Sequence, residues 1–355
     1  MLETILITGG AGFVGSNLAL SLKERSRQSQ IFCFDNLNRR GSELNVPRLQ
    51  AAGIQFIKGD VRNKKELLAL PRIDAFIECS AEPSVLAGFK DPEYMIDTNL
   101  KGTLNCLELA RRDGSGFIFL STSRVYPMET INGVEFEEKE TRFDWPEGLE
   151  RAGISYQGVK EELSLNGPKS LYGATKLASE QIVTEYLAMF GLKGVINRLG
   201  VIAGPWQMGK IDQGIVGFWV MEHLFNGSLS YIGFGGRGKQ VRDAVHIDDV
   251  CDLVFCQMNR LEELSGGIYN VGGGRANSFS LLELTRIVQE ATGTSIPIAS
   301  DAATRPADLR IYMTDNSRIR QATGWAPKKS MAEIVKDTVS WAKANESCLK
   351  DMFGR

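Results

Sequence analysis

Histidine is nearly absent: His223 and His246 are the only two in 355 residues. No Cys/His cluster with ligand spacing stands elsewhere, so no catalytic or structural metal site is expected. The cysteines, Cys33, Cys79, Cys106, Cys251, Cys256 and Cys348, show no CxxC spacing. Most lie in apolar runs, which points to reduced core thiols and a cytoplasmic protein. No apolar stretch is long enough to span a bilayer, and a strand-like run begins almost at the first residue, so neither a membrane anchor nor a signal peptide is expected. Charge of one sign is not in excess either. Lys and Arg number 41 against 43 Asp and Glu, a formal net charge of −2. That balance gives no reason to expect nucleic acid or an anionic membrane as partner. Fixed-period repeats and low-complexity tracts are missing too, which leaves a globular chain long enough for a sizeable core and a second lobe.

What is present begins at Thr4-Ile5-Leu6-Ile7-Thr8-Gly9-Gly10-Ala11-Gly12-Phe13-Val14-Gly15. An apolar strand-like run ends in a glycine cluster and passes directly into a helical pattern. Glycines let bare backbone approach a pyrophosphate, and the N–H groups of the following helix hold the anion. A second strand-like run, Ile31-Phe32-Cys33-Phe34, ends at Asp35, about 20 residues past the last glycine, as a dinucleotide fold requires. Asp35 suits the two ribose hydroxyls of NAD, and its charge opposes the extra phosphate of NADP. Arg39 and Arg40 nearby keep NADP open. Further strand-like runs, Ile54–Ile57, Ala75–Cys79, Phe117–Leu120 and Val195–Leu199, alternate with helical ones. Such alternation predicts an α/β fold, a Rossmann-type doubly wound parallel sheet. Gly9, Asp35, Asp60, Ala81 and Thr122 all fall at strand ends, where the loops of that fold bind ligands. Asp60-Val61 belongs near the adenine, although Asp60 also suits a helix N-cap.

The chemistry is carried by Ser121-Thr122-Ser123-Arg124-Val125-Tyr126 and by Tyr172-Gly173-Ala174-Thr175-Lys176. Four residues apart on a helix, Tyr172 and Lys176 share a face. A lysine cation beside a phenol favours phenolate. Alone, such a pair is a solvated helix face; behind a dinucleotide fold, with a hydroxyl-bearing strand end upstream, it reads as an acid–base device.

In order and spacing, the glycine motif, Asp35, Thr122 and the Tyr172/Lys176 pair resemble the extended short-chain dehydrogenase/reductases that act on nucleotide-sugars. That resemblance implies Tyr172 as catalytic base and acid, Lys176 as its activator and Thr122 as partner of the reacting sugar oxygen. It implies NAD as cofactor, contacted by Gly9, Gly12, Phe13, Val14, Asp35, Asn36, Asn38, Arg39, Asp60, Val61, Ala81, Asn99, Tyr172 and Lys176. Substrate contacts are expected from Thr122, Ser123, Gln213, Gln240, Arg242 and Arg305, the two arginines clamping a diphosphate. For each arginine taken by itself, a surface salt bridge is the simpler account. Residues 1–200 are expected to form the NAD-binding domain, with 245–275 returning to it. Residues 201–244 and 276–355 would form a smaller mixed α/β lobe for the nucleotide-sugar. The segment Glu135–Pro168 reads as a loop or lid over the site, and a homo-oligomer is expected.

Dehydratases of the family carry an Asp-Glu pair directly after the threonine; here Ser123-Arg124 stands there, which disfavours elimination. Phe34–Gly41, Glu140-Thr141-Arg142, Asp212–Gly217, Gly238–Asp243 and Asn277–Leu284 are similar to a subgroup that epimerises C2 of a CDP-sugar, more than to UDP-sugar 4-epimerases. A UDP-sugar 4-epimerase or another nucleotide-sugar oxidoreductase on the same scaffold is the alternative. A non-catalytic NAD-binding regulator would need none of Thr122, Tyr172 and Lys176. The chain departs from the family pattern at Glu78, where histidine is frequent, at Pro127, where glycine is usual, and at Gly200-Val201, which replaces an aromatic–asparagine pair.

Overall fold

The computed structural model describes residues 4–209 and 213–353. Asp212, part of one of the stretches above, lies outside the described residues. Seven strands form the central sheet: β1 (Thr4–Thr8), β2 (Gln30–Asp35), β3 (Gln55–Lys58), β4 (Ala75–Glu78), β5 (Gly116–Thr122), β6 (Gly194–Leu199) and β7 (Ile268–Val271). They are all parallel, in the order β7-β6-β5-β4-β1-β2-β3. The order reverses between β1 and β4, and the crevice above the carboxyl ends at such a point is where this architecture binds ligands.

Both faces of the sheet are covered, which is why its strands read as nearly continuous apolar runs. Side chains alternate between the faces. Ile5, Ile7, Ile77 and Ile118 pack with helix α1 (Phe13–Arg25). Leu6, Phe76, Phe117 and Phe119 pack with α2 (Gly102–Asp113) and α3 (Leu171–Phe190). Helix α4 (Ile247–Asn259) joins the first of these layers through Val250, Leu253 and Val254, and β7 pairs with β6. Each large side chain buried this way stabilises the fold by roughly 1.5–3 kcal/mol before entropy is counted.

The other strands of the second half pair separately. Val201–Ala203 runs parallel to Val241–His246, which is antiparallel to Ser278–Ser280. Helices Ile215–Leu224, Leu281–Thr292 and Met331–Ala344 share a core built on Trp219, Val220, Leu284, Val288, Ile334 and Val335. The last two helices open on capping boxes, Ser280 with Glu283 and Ser330 with Glu333.

Residues 135–168 differ from the expected loop or lid. Phe143, Trp145, Leu149, Ile154, Val159 and Leu163 are buried against Leu309, Ile311, Tyr312 and Met313. Arg275 donates to both Asp144 oxygens at 2.9 Å and stacks 3.3 Å from the Tyr156 ring. The segment is rich in charge and glycine, yet its aromatic and aliphatic residues offset its ordering entropy by joining a core. No helix of the described residues is long and apolar enough to cross a membrane.

Candidate active site

The cradle at the end of β1 depends on one missing side chain. A Cβ on Gly15 would lie 2.3 Å from the Gly9 carbonyl oxygen, so only glycine lets α1 press against the turn. Gly12 stands at the N-cap of α1 and supplies no side-chain cap, and the helix's first turn carries no acid. Its free N–H groups and positive dipole end therefore face the crevice, a fit for a dinucleotide pyrophosphate. Asp35 closes β2 and accepts from the Ala11 and Leu37 backbone N–H groups at 3.1 and 2.8 Å. Burial pushes its carboxyl up, and those N–H groups pull it back. Asn38 donates to the Tyr94 hydroxyl at 2.8 Å. Arg39 is engaged with Gln213 and with the Met208 carbonyl.

Asp60 is not the helix cap that its position allows. Asn63 caps Lys64–Leu68, while Asp60 accepts from Arg62 at 2.7 Å and from Asn36 at 3.0 Å. The Arg62 guanidinium holds its carboxyl down at about 2.

A single cavity of about 710 Å³ is lined by Gly9, Gly12, Phe13, Val14, Asp35, Asn36, Asn38, Arg39, Val61 and Ala81 on one side and by Thr122, Tyr172 and Gln213 on the other. Helix α3 is brought there by its start. Ser170 caps it, accepting from the Gly173 N–H at 3.2 Å. A Cβ on Gly173 would fall 2.1 Å from the Arg124 carbonyl oxygen, so glycine lets α3 rest on the turn after β5. Tyr172 and Thr122 thereby line the same cavity, and the Thr122 hydroxyl is near enough to the phenol to lower its pKa. Burial pushes the phenol up; the Thr122 hydroxyl and the Arg124 cation lower it, and Glu78 and Glu82 raise it further.

Lys176 corrects one expectation. Its ammonium, buried and 3.9 Å above the Phe119 ring, has Glu78 as its charged partner at 3.8 Å. The helical spacing brings Lys176 to the same face as Tyr172, but burial is the largest influence on the phenol and raises it. Asn99 is buried behind the cavity instead of lining it. Its side chain accepts from the Glu82 N–H at 2.8 Å and donates to Thr175 at 3.2 Å, bracing the loop after β4 against α3.

Asp60, Asn99, Lys176, Ser123, Gln240, Arg242 and Arg305 do not line this cavity. Gln240 donates to the Ile232 carbonyl at 2.9 Å, and Arg242 to Asp308 at 2.6 Å. Arg124 donates to the Ala307 carbonyl at 3.0 Å, so two cations converge on the loop that carries Arg305. Residues that the motifs did not flag also line the cavity, among them Glu82, Tyr94, Trp206 and Gln207. Glu82 follows Ala81 just past the end of β4, a position that could have flagged it. Gln207 Oε1 and Gln213 Nε2 are buried without a hydrogen-bond partner among the described residues, which leaves polar capacity for a ligand. No group of three or more His, Cys, Asp or Glu among the described residues is arranged to hold a metal ion.

Comparison with known proteins agrees with this geometry. Residues 5–272 match the family described as NAD dependent epimerase/dehydratase. The chain is 31% identical over 356 residues to CDP-paratose 2-epimerase of Salmonella typhi, covering 96% of this chain and 99% of that protein. It is 28% identical over 353 residues to dTDP-glucose 4,6-dehydratase of Streptomyces antibioticus, covering 97% and 93%. Among solved structures, the UDP-glucose 4-epimerase of Thermus thermophilus in complex with NAD superposes with a TM-score of 0.77 at 28% identity, covering 96% of this chain and 99% of that one. A parallel sheet that reverses at a glycine cradle, a Thr–Tyr pair across the cavity and these matches converge: the chain belongs to the NAD-dependent epimerase/dehydratase family.

Proposed function

We propose that this NAD-dependent enzyme epimerises a nucleotide-diphosphate sugar, by preference a CDP-sugar at C2, as the name of its Salmonella typhi relative describes. The observation that carries this reading is the Thr122–Tyr172 pair facing the glycine cradle inside one cavity. Directly after Thr122 stand Ser123 and Arg124, where a dehydratase would need an acid to protonate a leaving hydroxyl. Gly9, Gly12, Asp35 and the start of α1 would hold NAD, which when bound supplies the acceptor and donor of hydride.

Tyr172 takes the proton of the sugar hydroxyl on its phenolate oxygen and later returns it. Thr122, which lines the same cavity, would hydrogen-bond the reacting sugar oxygen. The Arg124 cation favours the ionised phenol. Arg242 and Arg305 would take the diphosphate, so that binding energy remote from the reacting carbon retains the oxidised sugar while it turns over. Leu104 on α2 and Met189 and Phe190 on α3 are exposed, which supports a homo-oligomer formed through these helices.

The second reading, a UDP-sugar 4-epimerase, is supported by the likeness to the Thermus enzyme. One experiment separates them. Purified protein is incubated without added NAD, with CDP-paratose and in parallel with UDP-glucose, and followed by NMR. Conversion of CDP-paratose to its C2 epimer supports the first reading. Turnover of UDP-glucose alone moves the protein to the 4-epimerases, and no change in either sugar, even with NAD supplied, refutes both substrates.

A further inference from the structure

Glu78 ends β4 with its side chain wholly buried. Its Oε2 lies 3.8 Å from Lys176 Nζ and accepts from the Thr103 hydroxyl at 3.3 Å. Its Oε1 has no hydrogen-bond partner among the described residues. A carboxylate in such surroundings is costly unless it balances a charge. Lys176 is the charge. Its side chain is 1% exposed and lies over Phe119, so it too is held in a place where burial favours the neutral amine.

Other ionisable groups surround the pair. Cys79 adjoins Glu78 in sequence, Cys106 approaches from α2, and Tyr172 and Glu180 share α3 with the lysine. The thiols are pushed up by burial and stay neutral. Glu180 is already engaged, since Arg198 donates to it at 2.7 Å and Ser121 at 2.5 Å. Glu78 is therefore the one buried carboxylate among these groups left to balance Lys176.

We propose that Glu78 is a positioning residue for Lys176: it holds the ammonium at the end of β4, in its charged form, one helical turn from Tyr172. The carboxyl itself is pushed up to about 7 by burial, with Lys176 pulling it down. The two groups thus titrate as a coupled pair, and the buried positive charge one turn of α3 from Tyr172 depends on both. The consequence for turnover rests on Tyr172 being the acid–base group of the reaction proposed above; the ion pair itself does not.

The test is a direct titration of Lys176 in protein labelled with ¹⁵N at lysine Nζ. Its NMR signal is assigned by its loss in Lys176→Met, and the midpoint is compared among the wild type, Glu78→Gln and Glu78→Asp. Loss of the carboxylate should lower the lysine midpoint by about 1–3 pH units, and the shorter aspartate should lower it by less. Identical midpoints in wild type and Glu78→Gln overturn the proposal. If circular dichroism finds Glu78→Gln unfolded, Glu78→Asp decides, and an unchanged midpoint there overturns it equally. The second readout is kcat against pH: in Glu78→Gln the alkaline limb should move down with the lysine midpoint while KM for the nucleotide-sugar holds. An enzyme that turns over no sugar refutes the proposed function and leaves the titration fully readable.

Discussion

Replacing Arg198 by methionine tests what holds α3, and with it Tyr172, against the sheet. Arg198 on β6 is 3% exposed and Glu180 on α3 is 0% exposed. The guanidinium donates to the two Glu180 oxygens at 3.1, 3.1 and 2.7 Å, and to the Tyr126 hydroxyl at 3.1 Å. Ser121, one residue before Thr122, donates to the same carboxylate at 2.5 Å. Tyr126 in turn donates its own proton to Asn270 on β7 at 2.7 Å. Methionine replaces most of the arginine's apolar stem but strands a buried carboxylate with Ser121 as its remaining donor. Breaking a buried pair in this way costs about 3–5 kcal/mol. That is at least about a fifth of the roughly 5–15 kcal/mol that separates a folded domain from its unfolded chain. The double variant Arg198→Met/Glu180→Gln should recover most of the loss, because a neutral amide needs no counter-ion. Urea unfolding followed by tryptophan fluorescence and far-ultraviolet circular dichroism measures all three proteins against the wild type. An unchanged midpoint for Arg198→Met, or a double variant no more stable than the single, would refute the view that charge and not packing dominates this contact.

Tyr172→Phe should lower kcat by about 10²–10⁴-fold, the range for losing a positioned acid–base group, while calorimetry finds nucleotide-sugar binding retained. Gly15→Ala forces a Cβ to within 2.3 Å of the Gly9 oxygen; at about 1–3 kcal/mol for such overpacking, NAD should bind roughly 5- to 150-fold more weakly, read by the NAD content of purified protein. Asp60 makes a pH prediction. Its folded-state carboxyl lies near 2, below the ordinary 3.8, so its contribution is full above the ordinary value and drains as pH falls toward 2. Asp60→Asn should therefore cost about 1 kcal/mol at neutral pH, discounted for solvent screening, and close to nothing near pH 2; an equal loss at both, seen by urea unfolding, would contradict the Arg62 pairing.

The parallel sheet was legible because its signals are local. Ile5-Leu6-Ile7 must be buried on both faces, and the glycines that follow have few other uses between a strand and a helix. Tyr172 and Thr122 were legible for a related reason, since each stands at the start or end of an element whose type its neighbours announce. Residues 135–168 were not. Their acids, lysines and glycines are what a loop carries, and the partners of Trp145 and Ile154 are Leu309–Met313, more than a hundred residues downstream. Contacts of that separation leave no periodic trace in either segment.

Charge pairing is the harder loss. The spacing of Tyr172 and Lys176 says that the two share a helix face, but not which way a flexible lysine turns, and Glu78 on a neighbouring strand decides that. The same holds for Arg242. An arginine read from sequence suits a phosphate and a carboxylate equally well, because the guanidinium fork fits both. In the folded chain Asp308 occupies that fork at 2.6 Å, while the Ala307 carbonyl, in a residue with φ of 64°, takes Arg124. A diphosphate reaching Arg242 has to compete with Asp308 for the same donors, so the segment Arg305–Asp308 carries a cation for the ligand and an anion against it. Asp308→Asn should therefore weaken the ion pair and tighten nucleotide-sugar binding by calorimetry, by about 2- to 5-fold for a partly exposed pair worth up to roughly 1 kcal/mol. Weaker binding in that variant would mean that Asp308 orients Arg242 for the diphosphate instead of competing with it.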